Sequence, residues 1–463
     1  MSTTRTQIML LMLALALLAA PAAAQMGGFG GFGTMSGSML NVGSPNTAGA
    51  ERFSIYPWLM MSGNYSTSVQ PQPDGTDVRR SFYGAMGGYG LGGRKSWYRT
   101  SLGVNFSGMY RPKLGAAPRS FSANTLSLGV SHLAGPRTRV SAGLSTGYSN
   151  GGMGFGAGMI GGGLAMPFGS GAFMRAGQVD LGNPNENGIV DNELFDVGTL
   201  FGGLTVGVVH QVGQRWNVGA GGGTFLTRRR YAGLREMQGF SGYGMSSFMI
   251  DRTSSLGVQY AEQHFSYRGL FGNNRAQSTS VFYHKQLSTT VSTGASMGAF
   301  RFTSRFIGQV AVDPALQELL GGFSSFEVQE VDRIGFMGNA FISKVFPVGS
   351  LSAAYLRGVT PGNGVLLASR RDQGSLVFGS GLPGGFSAGL MAMYGRTASM
   401  QQVGLVSSNW MGSGTIGRQL GAGFSTMFSA GYREFSVGTG VPVAARFINV
   451  GLTWTPRDAV LVF

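Results

Sequence analysis

The 463-residue chain contains no cysteine, few charged residues and few prolines. Without cysteine it can form neither a disulfide framework nor a thiolate metal site. Charged residues make up 11% of the chain, less than half of the ~25% usual for a soluble globular protein. Since 43% of the residues are hydrophobic, disorder through low hydrophobicity is excluded. The 16 prolines and the absence of a three-residue glycine period exclude collagen.

The N-terminus predicts secretion. Arg5 supplies a positive charge, an apolar run follows over residues 8–20, and small residues occupy positions 21–24. This is the pattern of a cleaved signal peptide over residues 1–24, because a membrane-spanning helix needs ~20 apolar residues and this run is shorter. Residues 25–50 are rich in glycine, methionine and phenylalanine without periodicity and predict a flexible lead-in. No later apolar run could cross a bilayer as a helix.

From residue 51 onward the hydrophobic period is two. Residues 101–106 read SLGVNF and residues 447–454 read FINVGLTW, so that large apolar residues alternate with small or polar ones. Because successive side chains of a strand point to opposite faces, each segment has one apolar face and one small, polar face. If the mature chain lies in a membrane, it therefore crosses as strands.

Connections between the predicted strands alternate between short and long. Tight turns fall near residues 135, 213, 286, 347 and 419, whereas the long connections are predicted over 63–79, 111–120, 150–195, 228–239, 303–331 and 360–371. This alternation is typical of an all-β, transmembrane, antiparallel up-and-down β-barrel. We predict 16–18 strands over residues 51–463, and the hairpin at Asp251 decides between the two counts. A β-solenoid or a β-sandwich is the alternative, but no short fixed repeat supports a solenoid.

Tryptophan positions agree with a barrel. Trp97, Trp216 and Trp454 all fall at predicted short-turn ends of strands, where an indole ring reaches lipid while its N–H stays wet. With the signal peptide, the alternating strands and the terminal Phe463, residues 51–463 resemble the Gram-negative outer-membrane β-barrel proteins. The resemblance implies an outer-membrane location, contact with membrane lipid and lipopolysaccharide, and insertion by the machinery that reads a terminal aromatic residue. It decides neither the solute nor whether the chain forms homo-oligomers.

The net charge is +15, and 30 of the 34 basic residues are arginine. One basic cluster, Arg228, Arg229, Arg230 and Arg235, follows a strand that is predicted to rise from a short turn. A secreted chain has no nucleic acid to bind, so two interpretations remain. Outward arginines would bind lipopolysaccharide phosphates at the rim. Inward arginines would favour anions in the pore.

The longest connection carries a concentration of acids: Asp180, Glu186, Asp191, Glu193 and Asp196. We expect this connection to fold into the pore as a constriction, with its acids facing arginines of the wall.

Within that connection, four residues copy the alternating oxygen-ligand layout of a calcium loop: Asn183, Asn185, Asn187 and Asp191. Asparagine replaces the usual aspartate at the first three ligand positions, and Leu194 stands where a bidentate glutamate belongs. At most weak calcium binding is expected, and a solvated Asn/Gly turn is the alternative. No other cofactor is predicted.

Catalysis finds no support in the sequence. His132, His210 and His284 each occur just before a predicted short turn, a repetition that favours a structural role over that of a single general base. The sequence therefore predicts a porin-like passive channel for small hydrophilic solutes, including anions if arginines face the pore. The alternative is a structural or surface-interaction barrel that is closed by its own loops.

Overall fold

The protein is a closed antiparallel β-barrel. The computed structural model describes residues 54–71, 77–112, 120–150, 198–230, 236–268, 272–310, 325–362, 367–401, 405–438, 442–456 and 461–462. Within these ranges, eighteen long strands and one short terminal strand follow one another in the chain.

The strands have the following bounds: β1 Ser54–Pro71, β2 Asp77–Ser96, β3 Thr100–Arg111, β4 Phe121–Gly135, β5 Thr138–Asn150, β6 Thr199–Val212, β7 Trp216–Arg229, β8 Met237–Met249, β9 Ser254–Tyr267, β10 Asn274–Gln286, β11 Val291–Val310, β12 Ser325–Phe346, β13 Gly349–Gly362, β14 Leu367–Leu382, β15 Phe386–Ser399, β16 Val406–Gly421, β17 Phe424–Val437, β18 Val443–Trp454 and β19 Leu461–Val462. A 3-10 turn, Pro383–Gly385, joins β14 to β15. None of the helical segments among the described residues is long and apolar enough to cross a membrane.

The sheet closes through its first and last long strands. Each strand from β1 to β18 pairs antiparallel with its neighbour in sequence, and β18 returns to β1 with Leu59 opposite Trp454. The short β19 adds to the start of β1, where Val462 lies opposite Ser54. The predicted antiparallel barrel is thus confirmed at the upper end of the predicted strand count.

The two faces of the wall have the predicted composition. In β9, Leu256 and Val258 are exposed on the outside, whereas Gln259 and Gln263 are buried on the inside. In β3, Ser101 and Asn105 are likewise buried. Because the side-chain period of a strand is two, this alternation fixes which side chains of each strand point outward. Large apolar residues therefore cover the outer face of the barrel, while small and polar residues mostly face the lumen.

Many inward aromatic rings lie over a glycine of the neighbouring strand. In each pair the two residues are register partners, and a Cβ on the glycine would meet the ring. A ring that covers an opposing glycine fills space that no other side chain occupies, which stabilises an otherwise weak strand position. Six such pairs involve phenylalanine: Phe201–Gly147, Phe225–Gly239, Phe282–Gly257, Phe300–Gly335, Phe341–Gly294 and Phe447–Gly431. These pairs explain part of the glycine content.

Four predicted long connections are shorter than expected. The strands extend into them: β1 and β2 leave only residues 72–76 between them, β7 and β8 leave 230–236, β11 and β12 leave 311–324, and β13 and β14 leave 363–366. Pairing continues above the apolar band because charged side chains bond across the strands there. Arg301 donates two hydrogen bonds from Nε and one from Nη2 to the Asp332 carboxylate, at 2.7–3.2 Å. Polar composition alone was therefore a wrong guide to where these strands end.

The short turns hold tryptophan and histidine at one end of the barrel, here called the short-turn end. Trp97 lies in the β2–β3 turn, Trp216 begins β7 and Trp454 ends β18. His132 and His210 each lie 2.8 Å, through Nδ1, from the hydroxyl of a threonine directly opposite, on the strand before. Two of the three repeated histidines thus make the same cross-strand contact, whereas the His284 ring lies 6.1 Å, centre to centre, from the Phe341 ring.

The β8–β9 turn is held by one carboxylate. Asp251 accepts four hydrogen bonds of 2.6–2.7 Å from the hydroxyl and backbone N–H groups of Thr253 and Ser254. The Ser254 hydroxyl, followed by the Thr253 hydroxyl and backbone N–H, holds the pKa of Asp251 well below its usual range. The β8–β9 hairpin, which raises the strand count from sixteen to eighteen, is therefore stabilised by the Asp251 carboxylate.

This turn should be insensitive to pH over the physiological range. A carboxyl whose pKa is lowered by folding stabilises the turn above its ordinary pKa of about 4, and that contribution is lost only as the pH falls through the lowered value. We expect Asp251→Asn to raise the hydrogen-exchange rate of the Thr253 and Ser254 amides severalfold at pH 7, because neutral acceptors bind more weakly. Unchanged exchange in the variant would contradict this assignment.

Candidate functional site

The barrel interior is the candidate site, and its wall is small and polar over much of its height. Buried inward side chains of this kind come from strands around the whole barrel: Ser62, Ser66, Ser101, Asn105, Gln259, Gln263, Ser280, Ser296, Gln373, Ser413, Ser429 and Asn449. They offer hydroxyl and amide groups without fixed charge. Such a wall can bind water and hydrophilic solutes and does not favour apolar ones.

Three glutamines on this wall have unsatisfied amide groups. Gln259, Gln263 and Gln373 are almost fully buried, and neither the amide oxygen nor the amide nitrogen has a hydrogen-bond partner in the described part of the chain. Leaving a buried polar group unpaired costs roughly 1–3 kcal/mol. The inner wall thus carries six buried polar atoms that the described residues leave without a hydrogen bond.

The predicted arginine cluster divides between the two faces. Arg229, at the end of β7, points inward and is 5% exposed, whereas Arg228 and Arg230 are exposed. The Arg230 guanidinium lies 5.7 Å from the ring centre of Tyr148. Arg235 lies outside the described residues. The alternation expected for consecutive strand residues therefore places one guanidinium of the triplet at the lumen.

Further inward arginines lie at the same end as Arg229, where the long connections emerge (the long-connection end). Arg111 ends β3 and is buried, Arg433 in β17 is buried beside the Phe435 ring, and Arg371 in β14 has inward parity. Sequence reasoning did not single them out as a group, although strand parity could have identified Arg433, which has the same parity as Ser425, Ser429 and Gly431. Together with Arg229 they place four guanidinium groups on the inner wall at this end.

An apolar cluster occupies one side of the upper lumen. It combines inward aromatic and methionine side chains of β7–β11 with three residues from β13, β14 and the β15–β16 connection: Phe225, Met237, Phe265, Tyr267, Ala276, Phe300, Phe302, Val359, Ala368 and Met400. Phe302 is fully buried in it. The two groups of strands are not neighbours in the sheet, so this cluster joins separate parts of the wall.

Hydrogen bonds reinforce that contact. The Ala368 N–H donates to the Tyr267 hydroxyl at 2.6 Å. The Gln401 amide donates to Ser304 Oγ at 2.7 Å and to Asn274 Oδ1 at 3.1 Å. Ala368 has a positive φ of 33°, so the start of β14 departs from extended geometry where it turns toward the lumen. We call this set of contacts the mouth bridge.

The remaining predicted site residues are not placed. The acids Asp180, Glu186, Asp191, Glu193 and Asp196, and the calcium candidates Asn183, Asn185 and Asn187, all lie outside the described residues. Within the ranges that are described, no group of three or more histidine, aspartate or glutamate side chains is arranged to hold a metal ion.

Comparison with known proteins gives structural but not sequence relatives. No family model matches the sequence, and no curated protein shows significant sequence similarity to it. Among solved structures, OccK2 (OpdF) of Pseudomonas aeruginosa aligns over 87% of this chain and 98% of its own, with 12% identity and a TM-score of 0.42.

Two further solved structures overlap to a similar extent. OccAB4 of Acinetobacter baumannii aligns over 89% of this chain and 100% of its own, with 9% identity and a TM-score of 0.39. The ferric-catecholate import receptor Fiu of E. coli covers 85% of this chain and 81% of its own, with 7% identity and a TM-score of 0.39. At such scores the comparisons carry no argument, and the fold assignment rests on the closed antiparallel register of the eighteen strands, which makes the chain an up-and-down β-barrel.

Proposed function

We propose that the protein is a porin-like channel of the outer membrane, exported by a cleaved signal over residues 1–24, that passes small hydrophilic solutes. The observation that carries the proposal is the small, polar inward wall of serine, asparagine and glutamine side chains, among them Gln259, Gln263 and Gln373. In a barrel of this strand number, whose interior is wide enough for an aqueous channel, water and solute are the natural partners of those groups. Membrane lipid, lipopolysaccharide and the barrel-insertion machinery are the partners that go with this role.

Anions are the favoured solutes in this proposal. Support comes from the inward arginines at the long-connection end, because a ring of one sign attracts ions of the other only where it faces the lumen. The acid-rich connection at residues 150–195 would then fold inward and narrow the passage opposite those arginines. Weak calcium binding at Asn183, Asn185, Asn187 and Asp191 stays part of the same proposal.

Single substitutions in the arginine triplet test the anion preference. We expect Arg229→Gln to shift the reversal potential toward cations in planar bilayers with a low-salt gradient, where screening is weakest. The matched control is Arg228→Gln, because Arg228 is a neighbour on the same strand but points away from the lumen. Its reversal potential should equal that of the wild type. Equal shifts in both variants, or none in either, would contradict a selective role for Arg229.

A second candidate function is supported by the mouth bridge. Contacts between Tyr267 and Ala368, and between Gln401 and Ser304, close part of the upper lumen. A barrel that stays closed in this way would serve as a structural or surface-interaction protein without transport. Liposomes that contain the protein and are diluted into small sugars separate the two functions, because only an open channel lets the liposomes swell.

A further inference from the structure

A second cluster of arginines lies on the outer surface of β13–β15, around the carboxylate of Asp372. Arg357 is the register partner of Asp372 on β13, and Arg396 is its register partner on β15. The Arg357 Nε lies 3.5 Å from Asp372 Oδ1, and the Arg370 Nε lies 3.8 Å from Oδ2. Tyr355, which is exposed on the same face, donates its hydroxyl to Oδ1 at 3.1 Å.

The charge of this cluster is unbalanced, unlike that of the neighbouring ion pairs on the outer surface. Arg301 pairs with Asp332, and Arg305 pairs with Glu330, one carboxylate for each guanidinium. Around Asp372, in contrast, two guanidinium groups pair with one carboxylate and a third arginine is its register partner, which leaves a formal charge of +2 on one small patch. Arg357 and Arg396 each lie directly opposite Asp372, with Cβ atoms about 5 Å from its own, so these two long side chains can reach one multivalent anion over the carboxylate.

The distance of the patch from the short-turn end indicates which anion it can contact. Arg357 lies eight residues after the first residue of β13, and Arg396 lies ten residues after the first residue of β15. At a rise of ~3.3 Å per residue and a tilt of ~40°, these positions lie about 20–25 Å above the short-turn end, at the upper edge of a ~25 Å apolar band. The exposed side chains of Tyr355 and Tyr394 lie at a similar height on the same strands, as aromatic side chains do at a membrane interface. The patch therefore faces lipid headgroups.

We propose that Arg357, Arg370 and Arg396 form a binding site for the phosphate groups of an anionic lipid in the outer leaflet, and that Asp372 positions the three guanidiniums. Guanidinium groups bind phosphate oxygens through paired N–H donors, and the interaction strengthens at the edge of the low-dielectric bilayer. The inference rests on the proposed outer-membrane location but not on channel activity. It differs from the rim role considered for Arg228, because Arg228 lies on β7 and the lipid site lies on β13–β15.

The test measures binding of diphosphoryl lipid A to the purified full-length protein in detergent. We expect the double variant Arg357→Gln/Arg396→Gln to bind at least tenfold more weakly than the wild type and to show a shallower salt dependence. The matched control is Arg301→Gln/Arg305→Gln, which removes the same charge from the balanced pairs on the same surface and should change binding by less than twofold. Folding of each variant is checked by its heat-dependent gel mobility.

Three results would overturn the proposal. One is the absence of lipid A binding by the wild type, and another is an equal loss of binding in the control variant. The third is complete competition by millimolar inorganic phosphate, which would show that the cluster binds free phosphate and not a lipid. Bilayer conductance of the same double variant should remain unchanged, so a failure of the lipid site is distinguishable from a failure of the channel.

Discussion

Removal of the mouth bridge should raise single-channel conductance severalfold. Tyr267→Ala deletes the acceptor of the Ala368 N–H and opens space in the apolar cluster, and Gln401→Ala deletes both bonds to β10 and β11. The β14 start and the β15–β16 connection then lose the bonds that hold them across the lumen, and each lost bond with its unpaired partner costs about 1–3 kcal/mol. Planar-bilayer conductance and the rate of liposome swelling in small sugars measure the result.

The matched control for the bridge is Gln277→Ala. Gln277 lies on β10 and donates to the Tyr260 hydroxyl at 3.0 Å on the outer surface, so its loss should leave conductance at the wild-type value. The absence of cysteine adds a converse experiment, because Ser304→Cys/Gln401→Cys would carry the only two thiols. Joining them with a short bifunctional reagent should hold conductance low. Conductance that responds to neither manipulation would show that the bridge does not limit passage.

Substitution of a glycine beneath an aromatic ring should largely prevent barrel assembly. A Cβ at Gly257 would meet the Phe282 ring and would lie 2.6 Å from the Ser246 carbonyl oxygen. The backbone contact cannot move away, so Gly257→Val forces the strands apart, and overpacking of this kind costs ~1–3 kcal/mol or more. We expect less than a tenth of the variant to show the heat-modifiable mobility of the folded barrel.

A neighbouring glycine supplies the control. Gly244 lies on β8, and a Cβ there would meet nothing within 4 Å, so Gly244→Val should assemble like the wild type. Phe282→Ala combined with Gly257→Val should recover part of the lost assembly, because contacting residues show interaction energies that distant ones do not. Strictly additive losses in the double variant would show that ring and glycine do not act as a pair.

Sequence alone predicted the strand pattern well and the strand ends poorly. The period of two identified the strands, their inward faces and the opposite directions of Arg228 and Arg229, since these depend only on local alternation. It misplaced the ends of β11 and β12, because the pairing of Arg301 with Asp332 depends on the register of two strands. The mouth bridge joins Tyr267 to Ala368 across 101 positions of sequence, and no local pattern encodes such a contact.

The same limit applies to the lipid site. Arg357, Arg370 and Arg396 are scattered among other arginines in the sequence, and only the strand register shows that all three lie around one acid, Asp372. The composition shows the excess of positive charge, but it does not show where on the barrel that charge lies.

The pairing of β18 with β1 closes the barrel and is here called the seam. It limits the order in which this chain can fold. Every long strand except the two at the seam meets only its sequence neighbours, so the sheet can grow by local hairpin additions. The seam instead joins residues about 390 positions apart, and closing a loop of that length costs about 5 kcal/mol in chain entropy. Until β18 reaches β1, the growing sheet has two unpaired edges, which are surfaces for pairing with other chains. The seam is thus the slow, non-local step that closes the barrel and removes the free strand edges that favour aggregation.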